Sequence, residues 1–221
     1  MTYAVSDIHG HYDKYLAMLE KIHFGDSDTL YVLGDVIDRG EHGIKILLDI
    51  LRRPNAVMLM GNHEAMMLDT LLEFTKISAN AVSALYAWFL NGGETTFNEY
   101  MDRESADRVE VLDSLEKMPY YAEISVGEND FVLLHGGLEE FSPERPLGSY
   151  SRDEIVWAEP DFENGYFADK FTVIGHTPTT GVCGEPKIFR TEKLSDIDCG
   201  CAYDGGQLGC LRLDDFREFY V

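Results

Sequence analysis

Six side chains stand out for the chemistry they could share: Asp7, His9, Asp35, Asn62, His135 and His176. All lie in polar turns that also hold glycine: Asp7-Ile8-His9-Gly10, Gly34-Asp35-Val36, Gly61-Asn62-His63-Glu64, His135-Gly136-Gly137 and Gly175-His176-Thr177. Each offers oxygen or imidazole nitrogen, and none is a thiolate. Such donors suit divalent first-row metals such as Mn, Fe, Zn or Ni. Six are too many for one open catalytic site and about right for two metals sharing a bridging carboxylate. Two ions roughly 3.5–4 Å apart clamp a phosphoryl group and turn a bound water into a nucleophile at neutral pH.

The elements that must position these residues follow from hydrophobic spacing. Over the first 64 residues one pattern recurs three times: an apolar run, a glycine-containing turn, then a helical period. Tyr3-Ala4-Val5 precedes a face of Tyr15, Leu16, Leu19 and Ile22. Leu30-Tyr31-Val32-Leu33 precedes Ile44, Leu47, Leu48 and Leu51, and Val57-Met58-Leu59-Met60 precedes Met67, Leu68, Leu71 and Leu72. Repeated β-turn-α units imply parallel strands with every turn at the carboxyl edge of one sheet. Ligands of open α/β sheets bind at that edge. Residues from about 65 to 118 read as a mostly helical insertion, with Trp88-Phe89-Leu90-Asn91-Gly92-Gly93 as a helix end stopped by glycine. Beyond Pro119, Phe131 to Leu134 and Phe171 to Ile174 read as strands, and Leu208 to Leu213 with Phe216 to Val221 as a closing hairpin. A second sheet packed on the first accounts for them, within a single domain over residues 1–221.

Charge narrows the function. Eighteen basic and 40 acidic side chains give a formal net charge of −22. Nucleic acid and anionic lipid are gripped by Lys and Arg, so the balance argues against both as partners. With 45% hydrophobic residues the chain can still build a core. No uninterrupted apolar run nears the roughly 20 residues of a membrane helix. The opening MTYAVSDIHG has no basic segment followed by an apolar one, so a cytoplasmic location is expected. Cys183, Cys199, Cys201 and Cys210 accordingly read as thiols. A Cys-x-Cys metal site at Cys199 and Cys201 lacks a matching second pair.

In order along the chain, Asp7-Ile8-His9-Gly10, Gly34-Asp35-Val36-Ile37-Asp38-Arg39-Gly40, Gly61-Asn62-His63-Glu64, His135-Gly136 and Gly175-His176 resemble the signatures of the serine/threonine phosphoprotein phosphatases. The compact bacterial and phage branch is the most similar. The Asn91-Gly92-Gly93 and Asp198-Cys199-Gly200 regions look similar too, so the resemblance spans nearly the whole chain. It implies a calcineurin-like metallophosphoesterase fold of the α/β class, two packed mixed β-sheets flanked by helices. It implies a phosphomonoesterase that hydrolyses phosphoserine and phosphothreonine proteins, or a small phosphoester, by in-line attack of a metal-bound hydroxide. The cofactors would be two divalent ions, Mn foremost. Asp7 and His9 would hold the first with Asp35, Asp35 would bridge, and Asn62, His135 and His176 would complete the second. Arg39 would grip the phosphate, with Asn62 and His63 beside it. His63 would protonate the leaving alkoxide, oriented and charged by Asp38. His11, His23 and His42 fall outside the matched positions and read as bystanders, and Glu64 as an acid supporting a helix start rather than a ligand.

Two features depart from a plain match. Related phosphatases carry a second phosphate-binding arginine after a tryptophan ahead of the last metal histidine. Here Trp157 is followed by Ala158, Glu159 and Pro160, leaving Arg152, Lys170 and Arg190 as residues that could reach in, or Arg39 and the metals to act alone. The segment 128–164 holds ten acids against Arg145 and Arg152, and is expected to line an acidic rim that disfavours polyanions. Two other functions stay open. One is a dinucleoside tetraphosphatase of the same superfamily, against which Asp38-Arg39-Gly40 and Glu64 follow the protein-phosphatase form. The other is a phosphate-binding module without catalysis, against which stands the full set of donors with both Asp38 and His63.

Overall fold

The computed structural model describes residues 1–221. The three β-turn-α units form as expected. Strands β1 (Thr2–Val5), β2 (Thr29–Val32) and β3 (Ala56–Met58) alternate with helices α1 (Tyr12–Lys21), α2 (Gly43–Leu51) and α3 (Asn62–Thr75). The chain then stays helical through α4 (Ala81–Leu90), α5 (Glu94–Met101) and α6 (Ser105–Lys117). Strands β4 (Tyr121–Val126) and β5 (Asn129–Leu134) follow, then short helix α7 (Asp153–Val156) and strand β6 (Phe171–Ile174). Helix α8 (Thr179–Cys183), strands β7 (Phe189–Arg190) and β8 (Leu194–Asp196), and the hairpin β9 (Gly209–Arg212) and β10 (Arg217–Tyr220) complete the chain.

Two five-stranded mixed sheets result, in the orders β10-β9-β1-β2-β3 and β4-β5-β6-β8-β7. β1, β2 and β3 run parallel, as do β5, β6 and β8, so their carboxyl ends open on one edge of the fold. The sheets face one another across Ala4, Leu33, Leu59, Phe131, Leu133, Val173, Ile197 and Leu211. Successive side chains of a strand point to opposite faces. Tyr3 and Val5 therefore pack outward under the helices, while Ala4 packs inward. Val132 and Leu134 likewise pack outward under the segment from Leu138 to Tyr166, while Phe131 and Leu133 pack inward. Strands buried on both faces explain why their sequences are unbroken apolar runs rather than alternating ones.

One helix face differs from expectation. On α1 Tyr15, Met18 and Ile22 are buried, whereas Leu16 is exposed. The stripe runs i, i+3, i+7, and one residue of phase puts Leu16 on the solvent side. No helix is long and apolar enough to cross a membrane. All four cysteines are free thiols, with Cys183 exposed.

Candidate metal centre

The sheet edge brings the six sequence donors together. Asp7 and His9 follow β1, Asp35 follows β2, Asn62 opens α3, His135 follows β5 and His176 follows β6. The turns lock to one another through the backbone. His9 N–H donates to the Asp35 carbonyl (3.0 Å), Gly10 N–H to that of Val36 (2.8 Å), and Gly175 N–H to that of His135 (2.7 Å). Asp7, His9, Asp35, Asp38, Arg39 and His176 all hold positive φ, between 47° and 69°. Such backbone costs on the order of 1–3 kcal/mol per residue and persists where surrounding structure enforces it. Here Glu64 helps enforce it. Fully buried, its carboxylate accepts the N–H groups of Asp35 (2.8 Å), Val36 (2.9 Å), Gly61 (3.0 Å) and Ile37 (3.3 Å). Glu64 thus shapes the Asp35 turn and stands apart from the donor groups, as expected from its place at the start of α3.

Two groups of ligand atoms share Asp35. His9, Asp35 and His63 form one; Asp35, His135 and His176 form the other. His63 stands in the first group where the resemblance puts Asp7. Asp7 lies alongside, with Oδ1 3.9 Å from His9 Nε2 and Oδ2 accepting the His176 N–H at 3.0 Å. Asn62 Oδ1 lies between His135 Nε2 (2.9 Å) and His176 Nδ1 (3.0 Å). The ring orientations are set from behind. His9 Nδ1–H donates to the Ile37 carbonyl (2.9 Å) and His135 Nδ1–H to that of Leu33 (2.6 Å). This leaves each Nε2 facing the cavity, the arrangement by which metal-binding histidines are commonly oriented.

The residues fit a cation. His135 Nε2 is flanked by two acceptors, Asn62 Oδ1 and Asp35 Oδ1 (3.3 Å). Lone pairs brought this close need a proton or a metal ion between them. Burial works against an imidazolium at His135, yet Asp35, Asp7 and Glu64 outweigh it and lift its pKa to about 10. Burial likewise raises Asp35, but His135, His63 and His9 together hold it well below the usual carboxylate range. Burial takes His9 down to about 3 and His176 to about 4, so both present neutral nitrogen. Asp7 is raised to about 6, chiefly by burial.

Beside these groups lies a buried histidine–carboxylate pair. His63 Nδ1–H donates to Asp38 Oδ2 at 2.6 Å, and the two side chains are essentially inaccessible to solvent. Burial lowers His63, but Asp35 and Asp38 outweigh it and the pKa ends raised. Arg39 is exposed and pairs with no carboxylate. Its Nη1 donates to His9 Nε2 (3.0 Å), Nη2 lies 3.2 Å from His63 Nε2, and Cζ sits 5.2 Å over the Tyr203 ring. Three contacts from the segment of α4 and α5 carried no signal in the sequence. Trp88 Nε1–H donates to Asp38 Oδ2 (2.7 Å), Thr96 Oγ1 accepts the Asp38 N–H (2.7 Å), and the Gly92 carbonyl accepts the Arg39 N–H (2.9 Å). Trp88-Phe89-Leu90-Asn91-Gly92-Gly93 reads in the sequence as a helix end stopped by glycine, and α4 does end at Leu90.

A family model for calcineurin-like phosphoesterases matches residues 2–209. The chain belongs to that family. This phosphoesterase is 31% identical over 157 residues to serine/threonine-protein phosphatase 2 of Salmonella typhimurium, covering 71% of this chain and 66% of that one. It is 25% identical over 252 residues to an asymmetrical bis(5'-nucleosyl)-tetraphosphatase of Halalkalibacterium halodurans, covering 96% and 90%. Among solved structures it is similar in fold to a Saccharomyces cerevisiae protein serine/threonine phosphatase, with a TM-score of 0.65, 19% identity, and 100% and 78% of the two chains covered. A candidate diadenosine tetraphosphatase gives a TM-score of 0.69 at 19% identity, covering 100% and 92%. Family membership implies a phosphoester hydrolase with divalent metal ions, which the Asp and His groups above could bind.

The surroundings of the phosphoesterase's site correct two expectations. None of the three cations suggested as a second phosphate grip reaches the metal centre. Lys170, just ahead of β6, pairs with Glu123 (2.6 Å), at the end of that strand opposite His176. Arg190 lies over Phe216, which packs on Phe171 at the start of β6. Arg152 makes a two-pronged pair with Asp69 (2.7 Å each), about 10 Å along α3 from Asn62 at 1.5 Å per residue. The acidic rim is real only in part. Glu139, Glu140, Glu159 and Asp161 line a cleft of about 720 Å³. Trp157 shares that cleft and stands edge-on to His176, with ring centroids 6.3 Å apart. Glu128 and Asp130 instead sit at the β4–β5 turn, and Asp153 and Glu154 are paired with Arg152 and Arg145.

Proposed function

We propose that this phosphoesterase is a metal-dependent serine/threonine protein phosphatase. The observation that favours a phosphoprotein over a dinucleoside polyphosphate is the charge at the site. Arg39 is the one cationic side chain that bonds to the donor histidines, and the adjoining cleft carries Glu139, Glu140, Glu159 and Asp161. One phosphomonoester finds a partner there. The further phosphates of a dinucleoside tetraphosphate would meet carboxylates, and like charges brought together disfavour the wrong ligand. The 31% identity to a Salmonella protein phosphatase points the same way.

In this reading Asp7, His9, Asp35, Asn62, His135 and His176 hold two divalent ions, manganese foremost, with Asp35 shared. Such ions, when bound, supply a water-derived nucleophile and neutralise phosphoryl charge. The remaining work falls to the chain. The Arg39 guanidinium offers a planar fork to two phosphate oxygens, helped by Asn62 and His63 on the same rim. His63 carries the proton that the leaving seryl or threonyl oxygen needs as its bond to phosphorus breaks. That proton leaves from Nε2, while Nδ1–H stays on Asp38. Burial works against the imidazolium, but Asp35 and Asp38 outweigh it and favour the charged form of His63.

Parallel assays on a phosphoserine peptide and on diadenosine tetraphosphate in manganese buffer test the substrate class. The expected result is a higher kcat/KM on the peptide. Faster turnover of the dinucleotide would overturn the proposal.

A further inference from the structure

Asp38 has two partners on a single oxygen. Oδ2 accepts Nδ1–H of His63 (2.6 Å) and Nε1–H of Trp88 (2.7 Å), while Oδ1 is buried without a partner. Trp88, on α4, is fully buried, the largest side chain in the molecule to be so, and its indole packs against Gly93 at the turn that begins α5. A Cβ at Gly93 would overlap its indole ring, so glycine is what lets the ring reach Asp38. Phe97 packs edge-on to the indole, with centroids 6.3 Å apart. From the next turn of the chain, Thr96 Oγ1 accepts the Asp38 N–H (2.7 Å) and fixes a residue whose φ is 69°. Asp38 is therefore gripped at its backbone by α5 and at its carboxylate by α4.

A carboxylate that serves a histidine must keep its charge and its direction. Removed from water, Asp38 has few donors to hold it. The indole N–H supplies one without a charge of its own, and a hydrogen bond to a charged group is among the stronger kinds. It also prevents rotation of the carboxylate, which would turn Oδ2 away from Nδ1. We infer that Trp88 is a positioning residue for proton transfer to the leaving group, acting through Asp38 and His63, with Thr96 as its backbone counterpart. The inference rests on the reading of His63 as proton donor.

Leaving-group dependence tests it. p-Nitrophenolate leaves readily without a proton, whereas the phenolate of phenyl phosphate gains more from one. Trp88→Phe retains the packing and removes the N–H. It is expected to lower kcat roughly 10-fold on phenyl phosphate and at most about 2-fold on p-nitrophenyl phosphate, with bound metal unchanged. In a His63→Asn background the same substitution is expected to add nothing. Equal losses on both substrates, no loss on either, or a further loss in the His63→Asn background would overturn the inference. Should Trp88→Phe not fold, Thr96→Val, which removes the acceptor of the Asp38 N–H, must show the same selectivity and Thr96→Ser must restore it. If His63→Asn is itself impaired equally on both substrates, the proton-donor reading falls and takes this inference with it. If His63→Asn is selective and Trp88→Phe is not, only the role of Trp88 is overturned.

Discussion

The strand-end turns and the segment of helices α4 and α5 meet at one site but contribute in different ways. The turns supply the atoms that face the cavity: Asp35, the nitrogens of His9, His135 and His176, and the Asn62 oxygen. They do so through strained backbone held by Glu64 and by turn-to-turn hydrogen bonds. Helices α4 and α5 supply no donor to the cavity itself. Trp88, Thr96 and the Gly92 carbonyl hold Asp38 and Arg39 from behind. The side chains that face the cavity and the groups that hold Asp38 and Arg39 in place thus come from separate parts of the chain. Substitutions in the two parts should therefore fail in separable ways.

The largest effect is expected at Asp35, which belongs to both donor groups. Asp35→Asn should strip metal and abolish turnover of p-nitrophenyl phosphate together. Full turnover by that variant would dissolve the distinction between the two regions, since the shared donor would then be dispensable. His63→Asn comes next. It should retain metal while kcat falls about 10²–10⁴-fold, the usual worth of a positioned acid. The active form is protonated, so kcat should fall as pH rises through the His63 pKa. Asp35 and Asp38 hold that pKa up against burial. Removing one of those charges in Asp38→Asn should move the falling limb of the kcat profile to lower pH, and an unmoved limb would separate Asp38 from His63.

Smaller effects are expected where the chain only steadies Arg39. Gly92 has φ of 94°, and a Cβ there would come within 2.9 Å of Arg39 Cγ. Gly92→Ala strains the backbone and displaces Arg39, so KM should rise about 5- to 10-fold, equivalent to roughly 1 kcal/mol, with metal content constant. Tyr203→Leu removes the ring under the guanidinium. At an exposed site that contact is worth about 0.5–1 kcal/mol, so inhibition by inorganic phosphate should weaken about 2- to 5-fold. Tyr203→Phe should preserve it.

The same division governs what was legible in the sequence. Asp7, His9, Asp35, Asn62, His135 and His176 were readable because each ends an apolar run and the fold gathers strand ends at one edge. Strands β5 and β6 were readable from the short runs Phe131 to Leu134 and Phe171 to Ile174. Trp88 was hidden because α4 reads AVSALYAWFL, an apolar helix in which an indole looks like packing. Thr96 carried no signal, since a hydroxyl accepting one backbone N–H has no characteristic spacing. The fates of Arg152, Lys170 and Arg190 depended on partners distant in sequence, Asp69 and Glu123 among them. Charge counting over residues 128–164 likewise grouped acids that the fold sends to opposite ends.

The proposed function requires the strand-end turns to hold two divalent ions around Asp35. Calorimetric titration of Mn²⁺ into the metal-free protein measures this directly. Two equivalents per chain, reduced in Asp35→Asn and retained in His63→Asn, is the predicted result. One equivalent or none, or a stoichiometry indifferent to Asp35, would contradict it.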